Sequence, residues 1–183
     1  DHRHARNHLR QALTGAPLRS LAPRLASLVD SHIDACSERD EFDILTRCRA
    51  LTLDFCARLL IGIPAGSDED KVFTGLFRDF AAATEVDASH PAFRKIHQRG
   101  VGAADRLRSM IVRRAEVAHP NPGSNVLSHL VAAGAFSISD LADHLLACMI
   151  AARETTASLL AWTLISLANI PDAEPQNPDG SGT

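Results

Sequence analysis

Apolar residues recur every three or four positions along most of the chain, and this spacing places them on one face of an α-helix. The third segment of this kind shows the pattern well, because Ile44, Cys48, Leu51, Phe55 and Leu59 form one stripe. We distinguish about six such segments and find no run with the alternating period of a half-buried strand. The pattern therefore predicts an all-α fold.

Turn and capping residues predict where these helices begin and end. The first covers about residues 2–13, and the second starts near Pro23, since proline suits the first turn of a helix. The third ends at the Gly-Ile-Pro sequence of residues 62–64. Ser67 and Ser137 are each followed three residues later by an aspartate. This spacing is typical of a capped helix start.

Two further helices are predicted on either side of a proline-rich loop at residues 119–123. One covers about residues 92–118 and the other runs from Val126 to Ala133. Gly100 and Gly102 fall inside the longer helix. A glycine in a helix interior costs about 1 kcal/mol relative to alanine, so we expect this helix to be weakened locally.

The last periodic segment is long and apolar. It runs from about residue 139 to 169 without Pro or Gly, and at 1.5 Å per residue it would be about 46 Å long. His144, Arg153 and Glu154 lie within it, and charged residues are costly at the centre of a bilayer. We therefore predict one long central helix that is buried in protein, with no membrane span.

Beyond Pro171 the composition changes to Pro, Gly, Asp and Ser, and the helical period is lost. Such a segment buries too little apolar surface to offset the entropy of ordering. The chain is therefore predicted to form one helical domain over residues 1–171, followed by a disordered polar tail over residues 172–183.

Composition narrows the classes of function. The net charge is -3, and basic residues are interspersed with acidic ones, which gives no basic surface for a nucleic acid. The four cysteines form no C-x-x-C pair, so we expect free thiols that act as small apolar side chains. No apolar signal region stands at the start, and we expect a cytoplasmic protein.

Histidines near the start could in principle bind a metal. His4 and His8 lie one helical turn apart, and His2 is close by. No carboxylate or cysteine completes a ligand set, so we expect no metal ligands here and interpret His4 and His8 as solvated surface.

Polar residues interrupt the predicted buried helix at one place, the run AARETT that begins at Ala151. Burying unpaired polar groups costs roughly 2–7 kcal/mol, so Arg153, Glu154 and Thr155 need partners or a ligand. Ala151 and Ala152 have small side chains that let another group approach closely. The Thr155 hydroxyl can bond the carbonyl four residues back or release it to a ligand. Without a ligand, the same residues would be a surface charge pair and ordinary helix threonines.

This run resembles the oxygen-binding helix of the cytochrome P-450 superfamily, whose pattern is Ala/Gly-Gly-x-Asp/Glu-Thr-Thr. The flanking sequences SDLADHLL and ASLLAWTLISLA are similar to those of the bacterial soluble branch. The resemblance implies that Ala151 and Ala152 lie against a haem. The chain departs from the pattern at Ala152, where the family usually has glycine, and a methyl group there could narrow the oxygen groove.

The resemblance also implies roles for other side chains of this helix. Thr155 would hydrogen-bond dioxygen or its water, and Glu154 would help to deliver protons. Met149 and Ile150 would lie near enough to touch the substrate.

The first residues resemble the helix of the same family that carries His-x-x-x-Arg and holds a haem propionate. His2 and Arg6 occupy those positions, one helical turn apart, and arginine can donate twice to a carboxylate. The segments LLIGIPAGSDED and SNVLS resemble later parts of the family in the same order. The resemblance therefore covers about residues 1–171.

The family resemblance implies a haem-thiolate monooxygenase that activates dioxygen to hydroxylate a small apolar organic substrate, with a ferredoxin or flavin reductase as redox partner. Two family elements are not found in the sequence. No Glu is followed three residues later by Arg, and none of the four cysteines lies in a Phe-Gly-rich thiolate loop. We therefore expect a truncated fragment, from the propionate-binding helix to the oxygen-binding helix, that is inactive alone.

Two other functions are compatible with an all-helical chain. One is a non-catalytic remnant that binds an apolar ligand or partner. The other is the ligand-binding domain of a regulator, which is disfavoured because no helix-turn-helix is evident.

Overall fold

The computed structural model describes residues 6–10, 14–37, 41–118, 125–134 and 136–170. This part of the chain is mostly helical and contains no strand, so the all-α prediction is confirmed. Residues 6–10 are helical, and the loop predicted at 119–123 and the predicted tail lie outside the described residues. The α-helices with defined bounds are α1 (Gly15–Ser37), α2 (Ile44–Phe55), α3 (Asp68–Glu85), α4 (Phe93–Ala118), α5 (Val126–Ala133) and α6 (Ile138–Ala168).

The second predicted helix begins earlier than its proline indicates. The sequence predicts a start near Pro23, whereas α1 begins at Gly15 and carries Pro23 in its interior. A proline inside a helix removes a backbone hydrogen bond and costs about 3 kcal/mol. Leu21 is 3% exposed and packs into the main core two residues before it. The prediction of a start near Pro23 is therefore wrong, and the burial of Leu21 favours the longer helix.

The end of the third predicted helix is confirmed, and its last turn is wider than an α-helix. α2 continues as a π-helical turn over Cys56–Leu60 and stops before Gly62. Gly62 has φ +75°, and a Cβ atom there would overlap the side chain of Asn125. Glycine meets both demands because it has no Cβ and tolerates a left-handed backbone.

α3 and α4 pack side by side along much of their length. Ser67 accepts a hydrogen bond from the backbone N–H of Asp70, so the predicted start of α3 is confirmed. At Gly100 in α4, an added Cβ would overlap the Cβ of Ala83 and lie 3.1 Å from the carbonyl oxygen of Asp79. The glycine that weakens α4 as an isolated helix therefore permits its close contact with α3.

The main core lies between α3, α4, α5 and one side of α6. Its largest fully buried side chains include Phe73, Phe77, Leu107, Ile111 and Leu145. A smaller buried cluster of Cys48, Ala157 and Ala161 joins α2 to α6. These contacts fix α6 against α2 and α4 and thereby determine which of its faces stays open.

α6 is a single helix over Ile138–Ala168, so the predicted long central helix is confirmed. Ser137 caps its start, as the capping pattern predicts. Large apolar side chains on the outer side of its second half are exposed, among them Leu159 at 68% and Trp162 at 69%. The prediction of a buried helix therefore holds for the faces toward α2 and α4 and is wrong for this outer side.

Among the described residues, α6 is also the helix whose length and composition would let it cross a membrane. This is weak evidence, because the core helix of a soluble protein meets the same criteria. Arg153 and Glu154 near its middle form ion pairs with other helices, and charges are costly within a bilayer. The absence of a membrane span stays a prediction, which these ion pairs support.

Candidate functional site

The run AARETT lies on an unbroken stretch of α6. Ala151 and Thr155, one turn apart, are exposed, and Ala152 is half-buried. The Thr155 hydroxyl donates to the backbone carbonyl of Ala151 at 2.7 Å, and its oxygen keeps lone pairs that can accept a further hydrogen bond. A face formed by a methyl group and a hydroxyl lets a flat ligand approach the helix closely.

The two predicted substrate residues lie elsewhere on α6. Met149 has 0% exposure and belongs to the main core, and Ile150 is partly buried against that core. At about 100° per residue, Met149 and Thr155 point about 120° apart around the helix. Substrate contact by Met149 and Ile150 stays a prediction, and for Met149 it requires the core to open.

Glu154 is held by an arginine from another helix. The Nε atom of Arg49 in α2 donates to Oε1 of Glu154 at 3.0 Å and to Oε2 at 3.1 Å, and a terminal nitrogen of Arg49 also donates to Oε1. These hydrogen bonds hold the pKa of the Glu154 carboxyl below its usual value. Glu154 is therefore ionised at neutral pH, and each of its oxygens accepts a hydrogen bond from Arg49.

Arg153 points to a different part of the protein. One terminal nitrogen lies 3.3 Å from Oε1 of Glu85 and 3.7 Å from Oε2 of Glu154. Its guanidinium carbon lies 5.9 Å from the centre of the Phe77 ring, and its Nε is buried with no hydrogen-bond partner. Arg153 and Glu154 thus interact mainly with other helices, so the interpretation as a simple surface charge pair does not describe them.

Sequence reasoning missed Arg49 and Glu85 as partners of this run. They lie 105 residues from Glu154 and 68 residues from Arg153 along the chain, respectively. Neither stands in a recognisable motif, and no sequence signal indicates the pairing. They come together only in the tertiary structure, where α2 packs against α6 and Glu85 at the end of α3 lies beside Arg153.

The residues predicted to hold a haem propionate lie partly outside the described residues. His2 and His4 are not described, while Arg6 lies in the helical stretch 6–10 and is exposed. His8 is half-buried, with its ring 5.9 Å from that of Phe136 in an edge-on arrangement. Within the described residues, no group of three or more His, Cys, Asp or Glu side chains could hold a metal ion. The role of His2 and Arg6 stays a prediction.

The open turn of α6 fits the haem that the resemblance implies, because Ala151 and Thr155 leave room on that face. The cysteines fit core packing instead. Cys56 is fully buried, and burial raises its thiol pKa to about 12. Burial also raises the pKa of the Cys48 and Cys148 thiols. Buried thiols of this kind pack as small apolar side chains.

The run AARETT, which resembles an oxygen-binding helix, thus lies on a long helix, with an open turn beside an ion-paired carboxylate. The sequence profile of the Cytochrome P-450 family matches residues 1–176. The chain therefore belongs to the cytochrome P-450 family, as the motifs predict.

Similar proteins from Mycobacterium tuberculosis support this assignment. A protein named cytochrome P-450 135A1, from strain CDC 1551 / Oshkosh, is 25% identical over 191 residues, which cover 96% of this chain and 42% of that protein. A protein from the same strain named cytochrome P-450 137 is 26% identical over 192 residues, covering 94% of this chain and 40% of that protein. The chain thus spans about two fifths of the length of these relatives. No solved structure matches the chain significantly.

Proposed function

We propose that this chain forms the distal wall of the haem pocket in a haem-thiolate monooxygenase that hydroxylates a small apolar organic substrate. The observation that supports it is the open turn of Ala151 and Thr155 beside the anchored carboxylate of Glu154. Haem, when bound, supplies the iron centre on which dioxygen is activated, and its reactivity depends on a thiolate ligand.

Each of these side chains of α6 would have its own role in the distal wall. Ala151 and Ala152 would hold the haem face close to the helix, with Ala152 leaving less room than the family's usual glycine. The Thr155 hydroxyl would exchange its bond to the Ala151 carbonyl for one to the ligand or its water. Glu154 would accept a proton from solvent and pass it toward that hydroxyl.

Other parts of the proposed function depend on groups beyond this wall. His2 and Arg6 would hold a haem propionate, for which an arginine fork is well suited. The Glu-x-x-Arg helix and the thiolate loop of the family would have to come from residues that this sequence does not contain. We further propose a cytoplasmic protein that receives electrons from a ferredoxin or a flavin reductase.

Titration of the full chain with haem, followed by the Soret band, tests the proposal. Ala151→Leu places a bulky side chain on the open turn and is expected to weaken haem binding. Ala133→Leu, at the exposed end of α5, is the matched control and is expected to bind haem as the unmodified chain does. Equal haem affinity in both variants would refute the assignment of the open turn.

The carbon monoxide difference spectrum of the reduced, haem-loaded chain gives a second measurement. We expect the thiolate-type band to be missing, since none of the four cysteines lies in a Phe-Gly-rich loop like the one that carries the thiolate in the family. Appearance of that band would show that one of the four cysteines ligates iron and would contradict this expectation.

A non-catalytic helical protein that binds an apolar partner is the second candidate function. It is favoured by the exposed apolar side chains of Leu159, Trp162, Leu164, Ile165 and Leu167 on α6. Failure of the unmodified chain to bind haem would favour this candidate over the first.

A further inference from the structure

The second half of α6 is apolar, exposed and free of charge. Every residue from Trp162 to Ala168 is exposed, and the sequence from Thr155 to Ile170 contains no Asp, Glu, Lys, Arg or His. Large exposed apolar surfaces are uncommon on monomeric soluble proteins and mark contacts with another molecule. This half of α6 is therefore a candidate interaction surface.

Five of its exposed residues lie along one side of the helix. At about 100° per residue, they fall within an arc of about 100° around the helix axis. We call this set the α6 stripe, and its members are Thr155, Leu159, Trp162, Thr163 and Ser166. Two exposed apolar residues, Ile165 and Leu167, flank the stripe on either side.

The large and small side chains of the α6 stripe are arranged so that the stripe can pack against itself. When two copies of the helix run antiparallel with the centre of contact between Trp162 and Thr163, each Trp162 lies opposite Thr163 of the other copy. In the same register Leu159 lies opposite Ser166. A large side chain opposite a small one lets two helices interdigitate, and a two-fold contact uses the same patch on both copies.

The threonines of the α6 stripe can enter a dry contact without losing their hydrogen bonds. The Thr155 hydroxyl donates to the carbonyl of Ala151 at 2.7 Å. The Thr163 hydroxyl donates to the carbonyl of Leu159 at 2.8 Å. These bonds lie within α6 and persist when a second helix covers them. Because the face carries no charge, no like-charged side chains oppose each other when a second copy binds.

The exposed apolar area is sufficient for a dimer. Five large residues on and beside the stripe are between 41% and 69% exposed, namely Leu159, Trp162, Ile165, Leu167 and Ile170. At roughly 200 Å² for a large side chain, they expose about 550 Å² in one copy and about 1,100 Å² in two copies. A specific protein interface needs about 1,000 Å² in total.

We propose that the α6 stripe is a dimer interface, at which two copies of this chain pack antiparallel with the centre of contact between Trp162 and Thr163. The proposal rests on the second candidate function and identifies its apolar partner as a second copy of the chain. A bilayer fits this surface less well. The uncharged stretch from Thr155 to Ile170 would be about 24 Å long as a helix, which is shorter than a hydrocarbon core of about 30 Å.

Sedimentation equilibrium of the full chain without haem tests the proposal, because it measures the mass at several protein concentrations. Trp162 is the single tryptophan of a chain without tyrosine, so its fluorescence gives a second measurement at the interface itself. We expect twice the mass of one chain at high concentration. Over the same range the Trp162 emission should shift to shorter wavelength as the indole leaves water. A chain that stays monomeric would overturn the proposal.

Ser166→Glu places a charge opposite Leu159 of the other copy. The monomer should tolerate it because Ser166 is exposed, but the dimer Kd is expected to rise by at least about tenfold, since burying an unpaired charge is costly. Ser109→Glu is the matched control, with the same change of charge at an exposed position of α4, and should leave the Kd unchanged. Equal Kd values in the two variants would overturn the proposal.

Exchanging the two side chains of one pair tests the register. Leu159→Ser leaves two small residues opposite each other and Ser166→Leu leaves two large ones, so each variant is expected to raise the Kd. The double variant again places a large residue opposite a small one and should bind more tightly than either single variant. Non-specific apolar association predicts instead that Ser166→Leu lowers the Kd. That result, or a double variant without recovery, would overturn the antiparallel pairing. Should Leu159→Ser lose helix content by circular dichroism, Ser166→Glu decides.

Vesicles of phosphatidylcholine and a separate haem titration distinguish the alternatives. A monomer whose Trp162 emission shifts only when vesicles are added would show that the face binds a bilayer, and this outcome overturns the dimer. A monomer that binds haem rejects the dimer and retains the proposed haem pocket. A dimer that fails to bind haem supports the interface and rejects the haem pocket.

Discussion

Gly100 and Gly102 lie two residues apart in α4, and replacing each with alanine gives a matched pair of variants. Both substitutions remove the same helix penalty of about 1 kcal/mol, so this contribution cancels in the difference between them. An added Cβ at Gly102 meets no atom within 4 Å. We therefore expect Gly102→Ala to raise the free energy of unfolding by about 1 kcal/mol.

At Gly100 the added methyl group meets atoms that cannot move aside easily. It would overlap the Cβ of Ala83 and lie 3.1 Å from the carbonyl oxygen of Asp79, and both atoms are fixed to the helix α3. Overpacking of this kind costs about 1–3 kcal/mol. The free energy of unfolding of Gly100→Ala is therefore expected to be about 1–3 kcal/mol lower than that of Gly102→Ala.

Urea denaturation followed by far-ultraviolet circular dichroism measures this difference. The two variants should share the same dependence on urea concentration, so the shift between their midpoints gives the difference in free energy. Equal midpoints would refute the close contact between α3 and α4 at Gly100. A stabilised Gly100→Ala variant would refute it as well, since it would mean that the methyl group finds open space.

Three further predictions follow from other contacts. Gly62→Ala is expected to be less stable than Gly66→Ala by about 1–3 kcal/mol in urea denaturation. Both glycines have positive φ, +75° and +71°, but an added Cβ overlaps a side chain at Gly62 and meets no atom within 4 Å at Gly66. Equal losses of stability in the two variants would contradict this prediction. Arg58 lowers the pKa of Asp70 by hydrogen bonding, so their pair stabilises the protein above the ordinary carboxyl pKa and is lost as the pH falls through the lowered folded-state pKa. Asp70→Asn should thus be less stable than the unmodified protein at neutral pH and lose less stability on acidification. If the free energies of unfolding of the two proteins change in parallel with pH, the ion pair does not contribute as described. The Cys56 thiol is fully buried, and its pKa is raised to about 12. It should therefore react with a thiol reagent only after unfolding. A reaction as fast in the native protein as in the unfolded protein would show that the thiol is accessible.

Local patterns in the sequence predict most helices well. The capping serines Ser67 and Ser137 begin α3 and α6, as predicted, because a side-chain hydrogen bond to the first turn depends on residues only three positions apart. The prediction fails at Pro23, which lies inside α1 two residues after the buried Leu21. Local preference decides an element when no long-range contact opposes it.

The candidate site likewise has features that the sequence predicts and features that depend on contacts between distant residues. The run AARETT and its place on a long helix are predicted from the sequence, and so is the family. The ion pair of Glu154 with Arg49 joins residues 105 positions apart, so no local pattern indicates it. The full burial of Met149 and the exposure of Thr155 likewise depend on which faces of α6 meet α2 and α4.

The sequence by itself determined the all-α class, the long last helix and the run AARETT that resembles the family's oxygen-binding motif, because helical periodicity, capping and motif spacing act within a few turns of the chain. Only the tertiary structure decided that Gly100 makes room for Ala83 and that Arg49 anchors Glu154. It also decided that one side of α6 stays open. These features arise at contacts between helices that are far apart in the sequence, and the geometry of those contacts depends on the packing of the whole core.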